Sequence, residues 1–317
     1  MLQTLNSRLE KIMPLITPSS VVIGVLFAEY LKDFAVLVPW IFAFITFAGS
    51  LSSNFSSLKK AFLQPLPLIL ALLVLHVMMP VWAYGIGHLM FNDDKLTITG
   101  LILGVVIPTG VSSFMWVSMY RGNIGLALSI ILIDTILSPF IVPSSLSILV
   151  GEKVEMDVKN MMIGLFLMIV VPSLIGMVCN HVSKGKVKES LGAPLAPFSK
   201  IALALVVAIN GSYIAPFLKN INLKLIGIIL TVLFIAFCGY CFAWFLAKCL
   251  TKDRDTTITL IFTGGMRNIS AGAVIAIQFF PPAVAIPVVV GMLFQQVLAS
   301  VFGMLFTRRE EKVHSII

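Results

Sequence analysis

Apolar stretches about as long as a bilayer is thick follow one another along the whole chain, and no loop between them is long enough to fold alone. This constrains the fold more than any motif. A helix needs about 20 apolar residues to cross the hydrocarbon layer, and in lipid each segment must satisfy its own backbone polar groups, which selects helices. The runs predict ten helices, near residues 13–31, 34–52, 64–90, 97–119, 123–149, 158–182, 197–218, 222–247, 256–279 and 283–307. With 59% hydrophobic and 11% charged residues, against roughly 25% charged in soluble domains, the chain reads as an all-α integral membrane protein.

Charge then sets orientation. Arg8, Lys11, Lys59, Lys60, Arg121, Lys184, Lys186, Lys188, Lys200, Lys248, Lys252, Arg254, Arg308, Arg309 and Lys312 fall on the side shared by both termini. The other side holds Lys32, Lys95, Lys153, Lys159, Lys219 and Lys224. By the positive-inside bias both termini are expected in the cytoplasm, with the chain in the cell's inner membrane. The net charge of +8 follows from this bias, so the partner expected is the lipid bilayer and not nucleic acid. The polar start, Met1 to Lys11, and the run after it read as a retained first span, since no small-residue cleavage site is evident. Cys238 and Cys241 have CxxC spacing on a Phe- and Ile-rich helix without other ligand types, so they read as packing residues; no metal site is expected.

Two spans are interrupted. The fourth carries Ile107-Pro108-Thr109-Gly110 and the ninth Gly264-Gly265-Met266-Arg267-Asn268. The adjacent glycines are expected to unwind the ninth helix. Each break lies fourth in a set of five, and five is odd, so the second half inserts upside down relative to the first. The division is 1–150 and 151–317, two inverted five-helix repeats. Paired broken helices in inverted repeats point to the binding site of a secondary transporter. The plain alternative is that Pro and Gly kink long membrane helices. Arg267 adds a permanent positive charge at bilayer depth, which reads as an anion site.

Pro108-Thr109-Gly110-Val111-Ser112-Ser113, then Arg121-Gly122-Asn123 and Ser138-Pro139, resemble the bile acid:sodium symporter family. So do Gly265-Met266-Arg267-Asn268, Pro287 and Gln295-Gln296. The resemblance runs from Phe47-Ala48-Gly49 to about Phe306 and is that of a divergent bacterial member. It implies panel and core domains interleaved across both repeats, with the broken fourth and ninth helices crossing in the core. It also implies organic-anion cargo (bile acids, pantoate-like compounds, keto acids) carried with sodium.

The departures from the family pattern bear on that sodium. The ninth-helix motif usually runs glutamate, any residue, glycine, methionine, glutamine, asparagine; here Thr263 stands for the glutamate and Arg267 for the glutamine. Phe114 replaces an asparagine, Ala127 and Ile131 replace hydroxyls of the fifth helix, and His76 replaces a glutamine of the third. Sodium needs several oxygen ligands and commonly a carboxylate. A guanidinium beside such a site repels the ion by roughly 4 kcal/mol at 4 Å and an effective dielectric of 20. No cofactor is expected, and the substitutions argue against sodium binding of the family kind.

Arg267 has two functional readings: a forked partner for a substrate carboxylate, or a built-in substitute for the cation. The structural alternative is an ion pair or snorkelling. Asp134, mid-span, is expected to pair with Arg267, as a static bridge or as a switch. His76 precedes Pro80, which frees a backbone carbonyl; the imidazole is available for proton coupling with Asp134 or is simply hydrogen-bonded in place. Thr109, Ser112, Ser113, Asn268 and Ser270 flank the breaks, where half-helix starts attract anions, although such side chains also bond to their own helix. Of Gln295 and Gln296, about 100° apart on a helix, one faces the cavity, and Gln295 is the candidate. Asn210-Gly211-Ser212 is a weaker candidate, equally explained by close helix packing. The expected set is therefore Arg267, Asn268, Thr109, Ser112, Ser113 and Gln295 for substrate, with Asp134, His76 and Thr263 for coupling.

No HExxH, GxSxG or P-loop occurs, so an enzyme is not expected. The reading is a carrier of small organic anions by alternating access, independent of sodium and driven by protons or the substrate gradient. One alternative is an ordinary sodium symporter using backbone carbonyls and the remaining hydroxyls. Another, from a different class, is a non-transporting sensor on a transporter scaffold. The oligomeric state is not legible from the sequence.

Overall fold

A computed structural model of the chain describes residues 2–53, 65–92, 94–151, 157–218, 222–251 and 253–314. Of the charges used for orientation, Lys59, Lys60, Lys153, Lys219 and Lys252 lie outside these residues. In chain order the helices are α1 (Leu2–Leu26), α2 (Ala28–Ser50), α3 (Pro65–Phe91), α4 (Lys95–Val106), α5 (Ser113–Met119) and α6 (Ile124–Val150). They continue as α7 (Val158–Val182), α8 (Lys188–Leu218), α9 (Leu223–Leu250), α10 (Arg254–Gly265), α11 (Ile269–Phe279) and α12 (Pro282–His314). Among the described residues there is no strand, only one isolated bridge between Thr109 and Arg267.

Among the described residues seven helices are long and apolar enough to cross a membrane: α2, α3, α6, α7, α8, α9 and the part of α12 from Pro282 to Phe306. Three apolar helices are shorter: Leu15–Leu26, Lys95–Val106 and Ile269–Phe279. At 1.5 Å per residue the 12 residues of α4 reach about 18 Å, well short of a ~30 Å hydrocarbon core. The shortfall in α4 and α11 comes from the two breaks. At the start of the chain, α1 extends from Leu2 through the polar N-terminal residues before ending at Phe27. The first boundary therefore lies earlier than the hydrophobic run alone predicts.

Local chemistry explains six of the helix starts. Asp94, Asn123, Asp157, Asn222, Asp253 and Asn268 each accept a hydrogen bond from the backbone N–H three residues on. Such caps fill one of the four donors a helix start leaves unpaired. Inside α6, Pro139 cannot donate to Thr135 O; the Ser138 hydroxyl donates to that carbonyl instead, at 2.7 Å. α3 contains a π turn over Val74–Met78, which includes His76; Pro80 follows within α3 and has no N–H to offer the His76 carbonyl.

α1 and α8 approach most closely through glycine. A Cβ on Gly24 would lie 2.0 Å from the Ala208 carbonyl oxygen, and one on Gly211 would lie 3.0 Å from that of Val21. Backbone on a packed neighbour yields little, and overpacking costs about 1–3 kcal/mol. Gly24→Ala is expected to lower the melting temperature of the purified protein in detergent by several degrees, and Gly211→Ala by less. Equal or reversed effects in a thermal-unfolding measurement would contradict this packing.

Candidate functional site

The site begins with two helices that stop inside the fold. Pro108 biases Ile107 to extended backbone, and Ile107 adopts φ −58°, ψ 150° just after α4 ends at Val106. α10 continues through both glycines to Gly265 and stops at Met266, extended at φ −97°, ψ 143°. Gly264 and Gly265 thus do not unwind the helix. They let α9 come close: a Cβ would meet Ala243 Cβ at 2.7 Å from Gly264 and the Tyr240 ring at 2.3 Å from Gly265.

The two extended segments cross and complete each other. Thr109 and Arg267 form an antiparallel bridge, Asn268 N–H donates to Pro108 O at 2.8 Å, and Gly110 N–H donates to Met266 O at 3.4 Å. The Thr109 hydroxyl donates to Thr263 O at 2.7 Å and Met266 O at 3.2 Å. Gly110 is required by this approach, since a Cβ there would sit 2.8 Å from Arg267 O. Backbone groups freed by each break are in large part satisfied by the other, as a membrane interior demands.

Arg267 is 5% exposed. Its Nε donates to Val105 O at 2.8 Å, and Nη1 donates to Gly264 O at 2.8 Å and Met266 O at 3.2 Å. Val105 and Gly264 lie in the last turns of α4 and α10, where carbonyls lack helical partners and the dipole end is negative. One guanidinium thus caps both interrupted helices. Nη2 is buried without a partner. The expected fork for a carboxylate is therefore largely committed to backbone, and one nitrogen remains.

That residue lines an open cleft, together with Gly104 and Val105 of α4, Tyr240 of α9, and Pro287 and Gln295 of α12. Gln295 Oε1 accepts from Arg267 N–H at 2.8 Å, which leaves its amide NH₂ as a second donor. The Tyr240 hydroxyl donates to Gln295 O at 3.3 Å. Gln296, one step round the helix, accepts from Trp116 Nε1 at 3.0 Å, away from this lining.

Asp134 is fully buried and forms no ion pair with Arg267, contrary to the pairing expected from sequence. Its Oδ1 lies 2.5 Å from His76 Nε2, and its Oδ2 accepts from Thr109 N–H at 2.6 Å. Both oxygens are thus engaged, yet Asp134 still acts electrostatically on Arg267. His76 Nδ1 is buried and unpartnered. Thr263 donates to its own helix at Thr259 O, 2.8 Å away.

The remaining candidates lie outside the cavity lining. Asn268 caps α11 through Ala271 N–H at 3.4 Å. Ser112 precedes α5 and is partly exposed, whereas Ser113 is fully buried with its hydroxyl unpartnered. Ser270 is partly buried near the start of α11, and Asn210 is buried in α8 with its NH₂ unpartnered. Ala127 and Ile131 are buried and apolar. Sequence reasoning missed Tyr240 and the three carbonyls around Arg267. Backbone acceptors leave no trace in side-chain patterns, although Gly265 marks where an aromatic ring could approach.

Apolar helices long enough to span a bilayer, and two interrupted helices crossing at a buried arginine, define a multi-pass membrane protein with a polar intramembrane site. The chain belongs to the Sodium Bile acid symporter family, whose profile matches residues 39–216. That stretch contains the first break and Asp134 and ends before Arg267. The chain is 57% identical over 300 residues to YbaS of Bacillus subtilis (strain 168), an uncharacterized protein, covering 95% of this chain and 98% of that one. It is 28% identical over 262 residues to a probable chloroplastic sodium/metabolite cotransporter, BASS1, of Oryza sativa subsp. japonica, covering 82% of this chain and 63% of that one. A third relative, the uncharacterized sodium-dependent transporter YocS of Bacillus subtilis (strain 168), is 21% identical over 296 residues, covering 91% and 90%.

Proposed function

We propose that the chain is a secondary active transporter of small organic anions, of the pantoate, keto-acid or bile-acid kind, working by alternating access and not an enzyme. The observation that carries this reading is the buried Arg267, with Nη2 unpartnered and the residue on the wall of the cavity. An anion's oxygen meets Nη2 and the Gln295 amide there, while the apolar wall takes the rest of the molecule. In this reading α4 with α5 and α10 with α11 each make one crossing, giving ten in two inverted repeats, 1–150 and 151–317. Both termini lie in the cytoplasm and the protein in the cell membrane.

Sodium is not the driving ion in this reading. Carbonyls at the ends of α4 and α10, which could face a metal ion, are already held by the guanidinium. Its fixed charge repels a second cation by several kcal/mol at close range, and Thr263, Ala127 and Ile131 supply no carboxylate. A second reading, ordinary sodium coupling, is favoured by the names of the relatives.

Uptake into proteoliposomes decides between them. Radiolabelled pantoate, ketopantoate, pyruvate and taurocholate are each supplied with a sodium gradient, a proton gradient or neither. The expected result is uptake of at least one anion without sodium. Uptake that occurs only with sodium returns the chain to the mechanism named for its relatives. No uptake under any gradient leaves the sensor alternative standing.

A further inference from the structure

Binding an anion at Arg267 does not use the buried pair His76–Asp134. We infer that this pair is a proton-binding site, so that the carrier takes up about one proton with each monovalent anion. The inference rests on Arg267 as the anion's partner.

Charge counting at the crossing carries the argument. Take Arg267 as positive, Asp134 as a carboxylate that accepts from Thr109 N–H, and His76 as the neutral tautomer whose Nε2–H faces Asp134 Oδ1. The sum is zero. A bound anion makes it −1, and a buried uncompensated charge is costly. One added proton restores zero. It goes to His76 Nδ1, the basic atom of the group that is buried and unpartnered; the ring becomes imidazolium and keeps its Nε2–H on Asp134, and no other bond breaks. The His76 side chain is 8% exposed and that of Asp134 is 0% exposed, so exchange runs through the ring.

The pair is also wired to the site. Asp134 Oδ2 holds the N–H of Thr109, which is bridged to Arg267. Within the packing of the π turn, α6 contributes Asp134 as its sole titratable residue and α4 contributes Lys95 at its far end. α9 contributes Cys238, Tyr240 and Cys241 at mid-length, with Lys224, Lys248 and Cys249 towards its ends. Tyr240 is engaged by Gln295 O. Arg267 is therefore the charge through which an anion is felt. Coupling is reciprocal: what neutralises Arg267 draws the proton.

The test uses the full chain in nanodiscs with ¹⁵N-labelled histidine, four in all, His76 being assigned from His76→Gln. Acidification is expected to add a second proton to the His76 ring. Arg267→Gln, which removes the positive charge without any anion, is expected to raise the protonated fraction several-fold at the same pH. Separately, calorimetric binding of pyruvate and taurocholate in two buffers of different ionisation heat should give about one proton taken up per anion, and about none in His76→Gln. A ring that stays neutral in both proteins overturns the inference, and so does anion binding without proton uptake. If neither anion binds, the transport reading is what suffers, while the comparison with Arg267→Gln still decides the proton site.

Discussion

Arg267→Gln is expected to weaken anion binding by a factor of about a hundred to a few thousand. Removing one partner of a buried charge pair costs about 3–5 kcal/mol, and each 1.4 kcal/mol is tenfold in affinity. The wild-type guanidinium does two jobs that glutamine cannot combine. It holds Val105 O and Gly264 O, on two different helices, at 2.8 Å each, and leaves Nη2 unpartnered. Arg267→Lys should recover little, because an ammonium is a single point that cannot span both carbonyls and still face outward. Equilibrium binding of the anion found in the uptake panel checks both variants. A lysine variant that binds as tightly as wild type would mean that charge alone suffices and that the two-helix cap is incidental.

Asp134→Leu should destabilise the fold by about 2–6 kcal/mol, since each of the two buried donors it would leave unsatisfied costs about 1–3 kcal/mol. Leucine abandons the Thr109 N–H and the His76 ring, and leaves Arg267 without the nearby negative charge. Asp134→Asn separates these losses. Its amide oxygen can still accept from Thr109 N–H, now at 2.6 Å, so the backbone of the break stays satisfied while the charge is lost. Thermal unfolding in detergent should therefore rank wild type above Asn and Asn above Leu. If Leu matched wild type, the carboxylate would not be holding the first break in place.

Much of the framework was legible because bilayer physics writes it into composition. Pro108 announced the first interruption directly. The glycines at 264–265 announced the second for a different reason than the actual one: they admit Tyr240 and Ala243, and the chain leaves the helix one residue later. The start of α1 was hidden because nothing among its polar residues forbids helix, and hydropathy sees only the apolar part. At the site, Arg267 stood out as a charge at bilayer depth, whereas its partners did not. Asp134 and Arg267 are the obvious complementary charges, yet backbone carbonyls took the guanidinium and a histidine from α3 took the carboxylate. Which of two buried polar groups meets which is fixed by helix rotation and crossing, and a single sequence carries neither.

The mutual completion of the two breaks has a consequence for how the protein is made. The bonds Asn268 N–H to Pro108 O and Thr109 hydroxyl to Thr263 O join residues 160 and 154 positions apart. At a synthesis rate of about 5–20 residues per second, the first interrupted helix enters the membrane many seconds before its counterpart exists. During that interval its exposed carbonyls and N–H groups have no lipid partner to turn to. The nascent first half is thus an incomplete object that insertion machinery, water or a chaperone must shelter. Translation of α10 and α11 is what ends its dependence.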